Sequence, residues 1–193
     1  MKINELIGFK KDTAYQAAVD MDSDPDEGYT AYSKNSVDPI VSRLESLGWN
    51  LIGKGYEALV FANTNKSYVI KLFIPWGNSV DFLKFIINNQ SNPHVPKLRG
   101  KPVKIKPGSS VYIARMERLA PISSETDPIF SQYLPSDQNS VWDLFEPNNA
   151  KWIQENNPEL YTLIKFINNS KNEPDLHLEN IMKRRNTLVF IDF

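Results

Sequence analysis

From Trp49 to Phe73 the chain carries three short runs rich in apolar and β-branched residues, Trp49–Ile52, Leu59–Ala62 and Ser67–Phe73. Each is too short for a stable helix and each ends at turn-forming residues. Gly53-Lys54-Gly55 parts the first two runs and Asn63-Thr64-Asn65-Lys66 the last two, a spacing that suits antiparallel pairing of successive strands. Two more runs, Val103–Lys106 and Val111–Met116, face each other across Pro107-Gly108-Ser109-Ser110, a hairpin turn. Between these groups Val80, Leu83, Ile86 and Ile87 form one apolar stripe, which predicts a helix over Ser79–Asn88. Five antiparallel strands with one helix make a first lobe, and Arg115–Ala120 follows as a hinge.

The flanks differ in character. Asp38 is placed to cap a helix, Pro39 suits its first position, and Ile40, Val41, Leu44 and Leu47 recur at helical spacing until Gly48 stops it. Residues 1–37 read as an extension, with a short helix around Glu5–Val19. The acidic run from Asp20 to Glu27 is expected to be a solvated loop and not a calcium loop, because Pro25 stands where a turning glycine belongs and Ala31 where a bidentate Glu is needed. Beyond the hinge, Pro121, Pro128, Pro135 and Pro147 punctuate loops. Asn157 and Pro158 then open a helix that buries Leu160, Leu163, Ile164 and Ile167. Ile181–Lys183 and Thr187–Ile191, joined by Arg184-Arg185-Asn186, predict a hairpin that returns Asp192 beside Asn180. The resulting division is an extension (1–37), a first lobe with hinge (38–119) and a second lobe (120–193).

The residues with chemical potential fall in a fixed order. Gly53 and Gly55 allow close backbone approach, and Lys71, in Tyr68-Val69-Ile70-Lys71, can reach a phosphate from the adjacent strand. Asp175-Leu176-His177-Leu178-Glu179-Asn180 sets out a proton acceptor, an imidazole and an amide, and Asp192 adds a second carboxylate. Oxygen ligands for a hard cation plus one oriented base are what phosphoryl transfer from a nucleotide requires. His94, in Asn92-Pro93-His94-Val95-Pro96, reads as part of a structural turn.

This glycine loop, strand lysine, Asp/Asn loop and Ile191-Asp192-Phe193 ending resemble, in that order, the protein kinase-like phosphotransferases over roughly residues 48–193. The chain is most similar to small bacteriophage kinase-like proteins. The resemblance implies an α+β bilobal fold, with a five-stranded antiparallel N-lobe carrying one helix and a short, truncated helical C-lobe. It implies ATP and Mg²⁺ as cofactors in the cleft between the lobes. Gly53, Gly55, Val60, Lys71, Glu117 and Leu119 would then contact the nucleotide, and Asn180 and Asp192 would hold the metal. Asp175 would orient the attacking hydroxyl as catalytic base, and His177 would stabilise the loop or the transferring phosphate. Ala58 replaces the third glycine of the loop, Glu173-Pro174 stands where many members carry His-Arg or His-Gly, and Asp81 is the acid offered to Lys71.

The activity so implied is transfer to Ser or Thr hydroxyls of a protein, the chain itself included. Two rivals remain open: a small-molecule phosphotransferase, since aminoglycoside-type enzymes carry histidine where His177 stands, and a pseudokinase acting as a nucleotide-binding or inhibitory module. The sequence stops at Phe193 without the later helices of a longer kinase, so self-association or a host-protein partner is expected over Trp142, Phe145 and Trp152. With 22 basic and 23 acidic residues there is no global drive toward nucleic acid or anionic membrane. The chain has no cysteine, no apolar run near the ~20 residues that span a bilayer, and no secretory pattern at Met1-Lys2-Ile3-Asn4-Glu5. A soluble cytoplasmic protein, in the host cytoplasm if phage-encoded, is the expectation.

Overall fold

The computed structural model describes residues 34–55, 57–75, 78–105, 109–170 and 177–192. The described residues fall into two compact units, the first made of 34–75 with 98–118 and the second of 78–97 with 119–192. The fold is mixed, with a five-stranded antiparallel sheet and several helices.

In the first unit, helix α1 (Lys34–Ser46) precedes strands β1 (Asn50–Lys54), β2 (Ala58–Ala62) and β3 (Tyr68–Phe73), with β4 (Val103–Lys104) and β5 (Tyr112–Glu117) completing the sheet. The sheet order is β1-β2-β3-β5-β4. Because side chains alternate along a strand, one face presents Leu59, Phe61, Ile70, Leu72 and Ile113, which bury against Ile40 and Leu44 of α1 and against Trp49. The helix begins four residues before Asp38, so Pro39 is an interior residue and not the first helical one. Burial of Ile40 and Leu44 against the sheet outweighs the backbone hydrogen bond that proline cannot donate.

The exit from α1 is fixed by backbone geometry. Trp49 N donates to Leu44 O at 3.0 Å and Gly48 N to Glu45 O at 2.9 Å, the paired bonds of a Schellman motif. Gly48 sits at φ +79°, where a Cβ is strained, and its carbonyl accepts from Asn63 Nδ2 at 2.7 Å. The cap thereby places Trp49 in the core, 5.4 Å from the ring of Tyr68.

The second unit contains α2 (Ser79–Asn88), β6 (Ala120–Pro121), α3 (Ala150–Asn156), α4 (Pro158–Asn168), β7 (Ile181–Arg184) and β8 (Thr187–Phe190). Helix α2, grouped with the five strands from sequence, belongs to this unit; the helix that shares the sheet's core is α1. The reason lies in its apolar face. Phe82, Leu83 and Ile86 are buried while Ile87 is exposed, and Phe85 stacks on Phe166 of α4 with ring centroids 4.2 Å apart. Two phenylalanines turn the buried stripe away from Ile87 and toward α4. Leu160, Leu163, Ile164 and Ile167 form the buried face of α4. Strands β6, β7 and β8 form an antiparallel sheet in that order. Phe145 packs edge-on to Phe190 at 6.0 Å, whereas Trp142 remains 44% exposed. Among the described residues no helix is long and apolar enough to cross a membrane.

Replacing Gly48 with Ala is expected to destabilise the chain by roughly 1–2 kcal/mol, the penalty of a Cβ in the left-handed region. Urea unfolding checks this, and an unchanged midpoint would contradict the capping argument.

Candidate functional site

In the first unit the sheet register sets Gly53, Val60, Lys71 and Ala114 in one row across four strands. Directly paired residues share a face, so this row lies opposite the α1-packed core. A register shift between Leu51 and Gly53 makes the arrangement possible. Leu51 pairs with Phe61 on the core face, Ile52 is the extra residue, and Gly53 then pairs with Val60. Such a bulge reverses the alternation beyond it. Without it Gly53 would share Leu51's face; with it Gly53 joins Lys71, and Ile52 is 57% exposed.

Neither loop glycine is required by the unit's own geometry. A Cβ on Gly53 would meet Val60 at 3.5 Å, an ordinary contact, and one on Gly55 would come no closer than 3.9 Å to Ala58 O. Gly55 N donates to Ala58 O at 2.9 Å, closing the turn. What the glycines provide is backbone without side chains, which suits close approach of another molecule. Lys71 is only 3% exposed, and its ammonium lies 4.9 Å from the centroid of the Phe73 ring. Glu117 ends β5 paired with Tyr68, on the face opposite Lys71, so any nucleotide contact on Lys71's side would come from its backbone. Asp81 belongs to the second unit, where Lys84 Nζ donates to it at 2.7 Å on the exposed side of α2.

In the second unit β7 and β8 pair Ile181 with Phe190, and Ile191 N donates to Asn180 O at 2.8 Å. Asn180 and Asp192 therefore flank the open end of one hairpin. Leu178–Asn180 is a single 3₁₀ turn, closed by Asn180 N to His177 O at 2.9 Å, and Asn180 Nδ2 lies 3.4 Å from His177 Nε2. Among the described residues no three His, Cys, Asp or Glu side chains gather for a metal. Oxygen donors from Asn180 and Asp192 nonetheless fit Mg²⁺, which commonly takes one or two carboxylates and completes its shell with water and phosphate. Leu119 is half-buried just before β6. Asp175, with Glu173 and Pro174, lies outside the described residues, as does most of the extension.

Two clamps hold this hairpin, and neither was evident from sequence. Arg184 donates to Pro93 O at 2.8 Å and Val95 O at 3.0 Å, while Phe190 N donates to His94 O at 3.0 Å. His94 Nδ1 lies 2.8 Å from Leu188 O; a carbonyl only accepts, so Nδ1 carries the hydrogen. The second clamp is Asp127, which accepts from the Ser123 hydroxyl at 2.7 Å, Ile129 N at 3.1 Å and Lys183 Nζ at 3.2 Å. These donors, the Ser123 hydroxyl foremost, hold the Asp127 carboxyl well below the usual carboxylate range. The only sequence signal for the first clamp was the proline-flanked turn at His94. A separate cavity of about 350 Å³ opens between α2 and α4, lined by Asp81, Phe85, Asn88, Phe166 and Asn169 among others, and none of the expected nucleotide or metal residues lines it.

No protein-family model matches the chain, and no curated protein matches it. Among solved structures it is similar to a kinase of the Cydia pomonella granulovirus, at 18% identity and a TM-score of 0.36, over 83% of this chain and 58% of that one. The chain thus spans 58% of the viral kinase's length.

Burial pushes the His94 imidazole below its ordinary pKa, opposed by its hydrogen bond to Leu188. The unfolded chain takes up this proton near pH 6.5 while the folded chain resists it. Stability from this group is therefore complete above about pH 6.5 and is lost as pH falls toward the lowered folded value. Thermal melts should show wild type losing stability between about pH 7 and 5, and His94→Gln, though less stable at neutral pH, losing less over that interval. Parallel profiles would refute the assignment.

Proposed function

We propose that the chain is a protein kinase-like phosphotransferase that uses Mg²⁺-ATP and delivers the γ-phosphate to a Ser or Thr hydroxyl of a protein. The observation that carries this reading is the row of Gly53, Val60 and Lys71 on one sheet face, reached through a bulge and edged by a glycine the fold does not require. An open backbone edge and a buried ammonium on one face suit a polyphosphate. The hairpin of Asn180 and Asp192 supports the same reading, because its oxygen donors suit the cation that accompanies such a phosphate.

The roles follow from the donor types. Gly53 and Gly55 let backbone approach the phosphates, Lys71 pairs with their charge, and Val60 lines the apolar side of the nucleotide. Hinge residues Glu117 and Leu119 offer backbone groups to the base. Asn180 and Asp192 would hold Mg²⁺, which when bound neutralises charge on the phosphates. Asp175 orients the substrate hydroxyl and accepts its proton as the new oxygen–phosphorus bond forms and ADP departs.

Calorimetry and labelled γ-phosphate transfer test this together. Wild type should bind ATP with Mg²⁺ and gain thermal stability from it by mass action. Gly53→Ala should leave stability within about 1 kcal/mol of wild type or slightly raise it, since alanine restricts the unfolded chain, yet weaken ATP binding. Lys71→Ala should weaken phosphate binding, and Asp192→Ala should abolish the metal dependence. Asp175→Asn should keep ATP affinity within a few-fold while turnover falls by ~10²-fold or more. No ATP binding at millimolar concentration would overturn the reading. Transfer only to a small molecule would move the acceptor from protein to metabolite.

A further inference from the structure

Strand β8 is an edge of the three-stranded sheet, so the backbone groups it turns away from β7 find no partner within that sheet. Leu188, Phe190 and His94 are all buried, His94 being only 3% exposed, and polar groups shut away from water at such an edge need partners. His94 supplies them. Its carbonyl accepts from Phe190 N at 3.0 Å, and its ring Nδ1 donates to Leu188 O at 2.8 Å. One residue bonded to the residues on either side of a third is the pattern of a parallel strand, here centred on Val189. In an ordinary strand the donor would be the backbone N–H. That group is turned instead to Asn92 Oδ1 at 2.8 Å, and the imidazole stands in its place. The Tyr133 ring meets the imidazole edge-on, with centroids 5.3 Å apart.

This one-residue strand sits at the open end of the hairpin, the end that no turn closes. Phe190 N is pinned outward to His94 O, the next residue's Ile191 N is pinned inward to Asn180 O at 2.8 Å, and Asp192 follows. We propose that His94 is a positioning residue for the metal site: by serving as a strand neighbour to β8, it fixes the chain that carries Asp192 relative to Asn180. The inference rests on the phosphotransferase reading and deepens it. It gives the turn after α2 a hold on the cation while asking no contact of His94 with metal or nucleotide.

The test is the Mg²⁺ concentration that half-saturates ATP binding, read by calorimetry under conditions where melts show each variant folded. His94→Leu keeps an apolar side chain but leaves the Leu188 carbonyl without this donor, and should raise that concentration about 10-fold, as loss of a supporting partner does at metal sites. His94→Asn carries an amide N–H where Nδ1 stands and should recover most of that loss. Gly48→Ala, which weakens the first unit instead, should lower the melting temperature without moving the Mg²⁺ requirement. In wild type, metal binding and closure of the turn favour each other, so saturating Mg²⁺-ATP should slow hydrogen exchange at the Phe190 amide. Four results would each overturn the assignment alone: equal Mg²⁺ requirements in wild type and His94→Leu, an Asn variant as impaired as Leu, a shift in Gly48→Ala as large as in His94→Leu, or Phe190 exchange indifferent to Mg²⁺-ATP. Wild-type ATP binding that ignores Mg²⁺ would overturn the phosphotransferase reading and this assignment with it.

Discussion

Strand register is the constraint on which both candidate sites depend. Side chains alternate with a period of two, so a shift of one residue moves every later side chain to the other face. In the five-stranded sheet that shift occurs once in β1, at Ile52, and it separates a core-facing Leu51 from a Gly53 that faces with Lys71. In the hairpin there is no shift, and the pairing of Ile181 with Phe190 carries Asn180 and Ile191 into register at its open end. One sheet uses an irregularity to gather its residues. The other uses regularity.

A two-stranded hairpin is marginal by itself, so the second arrangement needs support. It comes from both edges. Strand β6 pairs with β7, and Asp127 ties the loop after β6 to Lys183. On the other edge the Pro93–Val95 turn meets β8 through the Phe190 N–H and His94, while Arg184 satisfies two of the turn's carbonyls. The guanidinium's forked geometry suits that last task in a way lysine would not. The Lys183–Asp127 pair is partly shielded and its carboxylate is multiply hydrogen-bonded, which makes it a positional device more than a source of net stability.

Much of this was legible in the residues themselves. Ser79–Asn88 and the helix from Pro158 follow from apolar period and punctuation, and the five strands from short β-branched runs between turns. The start of α1 was not legible, because Asp38-Pro39 is an ordinary helix opening and nothing in the residues before it marks the extra turn from Lys34. Strand β6 escaped notice because it is two residues long and one is a proline, leaving no period to detect. The allegiance of α2 turned on Phe85 meeting Phe166, a contact between residues 81 positions apart. The bulge at Ile52 has no one-dimensional signature either; Gly53 two residues from Gly55 signals a loop, but not which face the strand presents on entering it.

Where a fold over-determines a residue, packing explains it; where it does not, function is the better explanation. Gly48 belongs to the first kind, since its φ strains any residue that carries a Cβ. Gly53 belongs to the second, since a side chain would meet only an ordinary contact with Val60 and the strand would be stiffer for it. The described geometry therefore does not demand a glycine at position 53. A register shift in β1 sets Gly53 on the face that carries Lys71, and that shared face is the observation on which the proposed phosphate-binding reading stands.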